Sequence, residues 1–207
     1  MFKLVNGIRR IRRCKKGGTA IEFAIVAGLL FTLLFGIIEF AMYSLASVLL
    51  EGSMREASRF GITGFTPSGV SREDRISSIV DDTTMGLVDT TDSSYKLDVL
   101  VYPSFQCVGK PEPWDDITPP GNNNGVYDVG EAYTDINGNG QWDPDVGIAG
   151  AGGPGDVVLY AIRYEWPLWS YLATLIGGED GKLPLSASMV VLNEPSTGAT
   201  PPSGITC

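Results

Sequence analysis

Residues 15–50 read KKGGTAIEFAIVAGLLFTLLFGIIEFAMYSLASVLL, and this stretch determines how the rest of the chain is organised. From Phe23 to Leu50 the only charged side chain is Glu39, and the run exceeds the ~20 residues that a helix needs to span a bilayer. We therefore predict a hydrophobic N-terminal helix over 18–62, which leaves the membrane after Leu50. Glu22 at its start is unusual, because a carboxylate inside a bilayer costs a few kcal/mol and normally has a partner.

The formal charge differs sharply between the two ends of the chain. Residues 1–17 contain seven Lys and Arg and no acid, whereas residues 18–207 contain eight basic and 24 acidic residues, a formal charge of −16. The positive-inside rule places the basic leader 1–17 in the cytoplasm and the acidic body outside. An acidic exterior body argues against nucleic acid as a partner and is compatible with cations.

The residue types present argue against catalysis. The chain has no histidine, which removes the commonest general base and the Ser-His-Asp and Cys-His arrangements. No other nucleophile–base arrangement stands out, so we predict that the protein is not an enzyme.

Cys107 and Cys207 fall in the exported part, where oxidising conditions permit a disulfide between them. The alternative is two unpaired thiols.

Small side chains recur at every fourth position of the apolar segment, and this spacing forms a groove that a second helix can approach closely. The ladder consists of Ala20, Ala24, Gly28, Thr32 and Gly36. We predict that the ladder, together with Glu22 and Glu39, packs the helix against copies of itself or related subunits.

The sequence Gly17-Gly18-Thr19-Ala20-Ile21-Glu22-Phe23 resembles a type IV prepilin cleavage site. Cutting after Gly17 makes Gly18 the first residue and Glu22 the fifth, the spacing of that family. The Ile-Glu-Phe-Ala form resembles the TadE-like pseudopilins of the tight-adherence (Tad, type IVb) pilus. Residues 55–61 resemble that family's Arg-Glu-Gly-Ala-Arg segment. Residues 190–195 resemble its Arg-Asn-Glu-Pro segment, with Leu192 in place of the arginine of that segment.

This resemblance implies a structural role. The chain would insert in the inner membrane with a periplasmic or extracellular body, and a prepilin peptidase would cut it. It would then assemble with other pilin subunits at the inner-membrane platform and reach the pilus or cell surface. Its size favours a minor pilin that contributes to assembly or adhesion. The alternatives are a type IV filament or type II secretion pseudopilin with a calcium-stabilised body, and a signal-anchored periplasmic calcium-binding module.

For the exported domain, residues 63–207, we predict an α+β fold. Ser71 to Val88 has an N-cap and first-turn acids typical of a second helix. Three runs of residues alternate between apolar and polar side chains or are rich in β-branched side chains. Gly and Pro residues bound these runs, as is typical of strands. They are Tyr95–Tyr102, Asp156–Trp166 and Leu185–Asn193. The simplest arrangement is a small antiparallel sheet packed on the outer half of the long helix.

An insertion over 111–155 is rich in Gly, Asn, Asp and Pro. Its residues 135–143 carry oxygen side chains at positions 1, 3, 5 and 9 and glycine at 6, the front of an EF-hand-type calcium loop. The candidate ligands here are Asp135, Asn137, Asn139, Gln141 (by its carbonyl), Asp143 and Asp145. An earlier copy has Asn122, Asn124, Asp128 and Glu131 at positions 3, 5, 9 and 12. Position 1 of that copy is Pro120, which has no ligating side chain.

The two copies resemble the tandem Asp/Asn-Gly calcium loops of exported bacterial proteins, including dockerin-like repeats. The resemblance implies Ca²⁺ as the bound ion, and oxygen donors without Cys or His argue against zinc. The alternative is a solvated repeat of turns that binds no metal.

Overall fold

A computed structural model describes residues 18–62, 69–118, 120–169, 181–194 and 207. The predicted leader, including Gly17, lies outside the described residues. The elements are helices α1 (Gly18–Ile62) and α2 (Arg72–Thr84), a 3₁₀ turn (Phe105–Cys107), and strands β1 (Lys96–Tyr102), β2 (Ile148–Ala149), β3 (Val157–Pro167) and β4 (Lys182–Leu192). The predicted α+β fold is confirmed.

The chain divides into two compact units, which we describe separately. The first comprises Met1–Ser44 and Pro167–Leu183, and the second comprises Leu45–Trp166 and Pro184–Cys207. In the first unit, α1 is apolar and largely exposed. By length and composition it is the one helix among the described residues that is able to cross a membrane.

The second unit is built on a four-stranded sheet with the order β2-β1-β3-β4. Strand β1 pairs antiparallel with β3 from Lys96 opposite Arg163 to Tyr102 opposite Val157. Alternate side chains of β3 are buried, which agrees with its alternating sequence. The predicted sequence runs therefore form strands, and the two-residue β2 is an addition.

Residues 45–62 of α1 pack in this second unit through a face of mostly small side chains. The buried positions are Ala46, Leu50, Ser53, Met54, Ala57, Ser58 and Gly61. Their spacing of three or four residues keeps them on one side of the helix. A methyl group on Gly61 would collide with the phenol of Tyr160, so glycine permits close contact between α1 and β3.

Helix α2 begins as predicted and ends earlier. The amide of Asp74 donates to Ser71 Oγ at 3.0 Å, which makes Ser71 the N-cap. Met85 adopts a left-handed conformation with φ 55°, and the Gly86 amide donates to the carbonyl of Asp81. This C-terminal cap ends the helix at Thr84, before the predicted Val88.

The predicted disulfide joins Cys107 to Cys207, with the two Cα atoms 5.2 Å apart. Cys107 belongs to a buried cluster with Tyr102, Val146 and Val157. Since Val146 lies just after the second predicted calcium loop, the same cluster anchors that loop to the sheet.

Candidate functional site

The predicted assembly residues lie on the part of α1 that belongs to the first unit, residues 18–44, which we call inner α1. Ala20, Glu22, Ala24 and Gly28 are exposed, and Gly36 is half-buried. A methyl group on Gly28 would meet no atom within 4 Å. The Thr32 hydroxyl donates to the Gly28 carbonyl at 2.9 Å, so this hydroxyl has its hydrogen-bond acceptor within the helix. The small-residue ladder is therefore open to another helix.

Glu39 is half-buried, and its carboxylate accepts a hydrogen bond from the backbone N–H of Trp169, within the first unit. This hydrogen bond meets part of the hydrogen-bonding capacity of a carboxylate that lies in an apolar segment. The sequence did not indicate this contact, because 130 residues separate the two partners.

The insertion folds as two loops with matching hydrogen bonds. We call residues 116–128 the first loop and residues 135–143 the second loop. In the first loop, Asn122 and Asn124 donate through Nδ2 to Asp128 Oδ2 at 2.7 and 2.9 Å. In the second, Asn137 and Asn139 donate to Asp143 Oδ2 at 2.6 and 2.5 Å. The side chains predicted at positions 3, 5 and 9 thus converge in both copies.

Asp135 fills position 1 of the second loop. Its carboxylate accepts from the amides of Asn139 at 3.2 Å and Gly140 at 2.8 Å. In the first loop the equivalent amides, of Asn124 and Gly125, donate to Asp116 at 3.2 and 2.6 Å. Asp116 therefore takes the role that the sequence spacing gave to Pro120.

A tight turn brings Asp116 next to the rest of the first loop. The Asn123 amide donates to the Asp116 carbonyl at 2.7 Å, and the Gly121 amide donates to the Thr118 carbonyl at 2.8 Å. A methyl group on Gly121 would stand 2.5 Å from the carbonyl carbon and oxygen of Asp116. Only glycine permits this approach, and the extra residues of the turn explain why a contiguous motif missed Asp116.

Each loop also receives a buried glutamate. Glu131 Oε2 accepts from the Asp128 amide at 3.0 Å, so this side chain contacts the end of the first loop. The equivalent amide of the second loop, that of Asp143, donates to Glu112 Oε2 at 3.2 Å. Glu112 Oε1 also accepts from Ile136 and Asn137, and the residue is fully buried. An EF-hand loop has glutamate at position 12, where the second loop has Val146. The glutamate that contacts the second loop, Glu112, lies 23 residues before Asp135.

These contacts define two repeats. Glu112 precedes Asp116 by four residues, as Glu131 precedes Asp135. Between them, Trp114 and Tyr133 form an antiparallel β-bridge, with the Asp115 amide donating to the Ala132 carbonyl at 2.8 Å. We call residues 112–128 the first repeat and residues 131–143 the second. This Glu-x-x-x-Asp spacing is the sequence signal that would have identified Glu112 and Asp116.

Aromatic rings pair the repeats symmetrically. Tyr127 and Trp142, each one residue before the Asp at position 9, stack with centroids 4.4 Å apart. Trp114 meets Trp142 edge-on at 5.7 Å, and Tyr133 meets Tyr127 edge-on at 5.9 Å. The stack and the two edge contacts hold the loops side by side.

The other two candidate ligands of the second loop are Asp145 and Gln141. Asp145 accepts from the Tyr102 hydroxyl at 2.9 Å and from the Gly147 amide at 3.0 Å. It lines an open cavity of about 210 Å³ beside Asn137, Asn139 and Asp143, with both oxygens engaged by these two donors. The backbone amide of Gln141 donates to Asn139 Oδ1 at 2.7 Å.

The insertion is strongly negative. Residues 111–155 contain eight Asp and Glu and no Lys or Arg. In the described part of the chain, no lysine or arginine forms an ion pair with a carboxylate of either loop. Burial and the charge of Asp135 raise the pKa of the neighbouring Tyr133, with smaller contributions from Tyr127, Glu112 and Asp143. This concentration of charge suits a cation.

Among the described residues, carboxylates and thiols do not by themselves form a group of three that could hold a metal. A site in these loops must therefore include amide oxygens. Asparagine supplies them at positions 3 and 5 of both loops.

A family model described as TadE-like protein matches residues 17–59, which is 43 of the 207 residues. A search of curated proteins and one of solved structures each gave no match. The matched segment contains Glu22, the small-residue ladder and Glu39. Residues 17–59 are thus similar to TadE-like proteins, a family connected with assembly of the Tad pilus, over the membrane-capable part of α1.

Proposed function

We propose that this protein is a minor pilin or pseudopilin of a Tad-like pilus, a structural subunit cut after Gly17 and assembled through inner α1. The observation that carries the proposal is that α1 (Gly18–Ile62) is apolar and buries none of its membrane-length window among the described residues. Such a surface needs lipid before assembly and other helices afterwards.

Glu22 would then set the axial register of the subunits. Cleavage after Gly17 creates an ammonium group at Gly18, four residues before the carboxylate. Pairing of these groups between neighbouring subunits would neutralise Glu22 inside an apolar bundle. Loss of one partner would leave a buried charge, which costs about 3–5 kcal/mol.

The mature N-terminus tests the proposal. We expect mass spectrometry of the full chain, expressed with its prepilin peptidase, to find Gly18 as the first residue. In a peptidase-deficient strain the uncut chain should remain in the membrane. Uncut chain in the presence of the peptidase would contradict the proposal and favour a signal-anchored module, which needs no cleavage.

Glu22→Gln tests the assembly step separately. We expect this variant to be inserted and cut normally and to be depleted from sheared filaments, because the neutral amide cannot balance the new ammonium. Glu51→Gln is the matched control, since Glu51 is exposed beyond the apolar segment. Equal incorporation of both variants would contradict the role of Glu22.

A further inference from the structure

We propose that the two repeats hold a pair of calcium ions, and that each site is closed by a glutamate from the other repeat. Glu131 of the second repeat closes the first loop, and Glu112 of the first repeat closes the second loop. The proposal concerns the exported body and does not depend on the pilus assignment.

The main observation is an oxygen without a partner. Glu131 is 3 % exposed, and its Oε2 accepts from the Asp128 amide. Its Oε1 is buried and has no hydrogen-bond partner among the described residues. A buried carboxylate oxygen is costly unless something compensates its charge. Because Glu131 adjoins Asp128, on which two asparagines converge, a cation in the first loop supplies that compensation.

The donors proposed for the first site are three carboxylates and two amides. The three carboxylates do not stand as a metal-binding group in the described structure, so they would close on the ion as it binds. They come from Asp116, Asn122, Asn124, Asp128 and Glu131. Half a turn about the Cβ–Cγ bond of an asparagine exchanges its nitrogen and oxygen, so these side chains can turn oxygen towards a cation. Calcium accepts six to eight oxygen ligands in flexible geometry, whereas magnesium requires a near-ideal octahedron. Calcium is therefore the better match.

The second site repeats this donor set. It comprises Asp135, Asn137, Asn139, Asp143 and Glu112. Glu112 accepts three backbone N–H groups, and an ionised carboxylate offers about four acceptor positions. One position remains for an ion.

The exchange of glutamates couples the sites. The bridge at Trp114 and Tyr133 lies between each glutamate and the aspartate of the next loop. Fixing Glu131 in the first site therefore positions Asp135 in the second, and Glu112 acts likewise on Asp116. We expect the two ions to bind cooperatively.

Calorimetry on the full chain in detergent micelles tests the proposal. After treatment with EGTA and its removal, we expect two Ca²⁺ to bind per chain, more tightly than Mg²⁺, and to raise the melting temperature. Glu131→Gln and Glu112→Gln should each weaken Ca²⁺ binding at least about tenfold. Asp115→Asn is the matched control, because Asp115 caps a local turn through the Ile117 and Thr118 amides. It should change the affinity less than about twofold.

The outcomes separate the two parts of the proposal. Absence of Ca²⁺ heat, with melting unchanged by EGTA, would overturn the sites. Binding that Glu112→Gln leaves unchanged would overturn the exchange. Circular dichroism of the variants in EGTA should match the unsubstituted chain, which shows that weaker binding does not result from misfolding.

Discussion

At the scale of single residues, Tyr102 and Asp145 connect the sheet with the second loop. Tyr102 is 1 % exposed and donates to Asp145 Oδ2. Burial, with the hydrogen bond and negative charge of Asp145, raises the pKa of Tyr102 to about 12. Asp145 therefore contributes to the anchoring of the second loop to the sheet.

The pKa of Tyr102 predicts a loss of stability in alkali. The unfolded phenol ionises near its ordinary pKa of 10.0 and the folded one near 12. The stabilisation is therefore complete below pH 10 and is lost as the pH rises towards 12. Urea unfolding in this range should show a weaker pH dependence for Tyr102→Phe. Asp145→Asn, which removes the charge and keeps an acceptor, should give an intermediate result, and an unchanged slope in both would contradict this account.

Gly121 gives a second prediction at this scale. The Cβ of Gly121→Ala would collide with the Asp116 backbone, which cannot move aside as a flexible side chain can. We expect a loss of about 1–3 kcal/mol in unfolding free energy and weaker Ca²⁺ binding. Gly153→Ala is the control, because its nearest neighbour would stand 3.7 Å away. Similar urea midpoints for both variants would contradict the steric argument.

At the scale of elements, α1 uses small residues twice for different purposes. In the second unit, Gly61 admits the phenol of Tyr160. In the first unit, Gly28 faces open space. One element therefore combines a contact already made within the chain with a surface available for another helix.

The open ladder predicts an assembly defect without a processing defect. Gly28→Leu should be inserted and cut normally but should reduce incorporation into sheared filaments, since a large side chain fills the groove. Ala41→Leu makes a comparable enlargement at an exposed position about 140° around the helix from Gly28. Equal incorporation of the two variants would show that the ladder is not a packing face.

At the scale of the whole molecule, the Cys107–Cys207 disulfide spans 100 residues of sequence. Removing a bond of this kind typically costs about 2–5 kcal/mol. We expect the double variant Cys107→Ser, Cys207→Ser to lose stability in this range in urea unfolding under oxidising conditions. Equal stability of the double variant and the unsubstituted chain would contradict a structural role for the bond.

The sequence predicted those parts of the molecule that depend on local pattern. Alternation located β1, β3 and β4, and Ser71 with its first-turn acids located the start of α2. The paired exported cysteines predicted the disulfide. The two-residue β2 has no pattern long enough to detect. Glu112 was missed because it contacts the second loop, which is distant in the sequence. Asp116 was missed because a turn separates it from the rest of the first loop. The Glu39–Trp169 contact depends on tertiary structure alone.

The disulfide has a further consequence for a protein exposed to proteases. Both loops lie between Cys107 and Cys207 in the sequence, so a single cleavage in either loop leaves the two fragments covalently joined. Limited proteolysis should therefore give one band without reductant and two with it. A chain cut in either loop would remain in one piece, with both fragments still attached to α1.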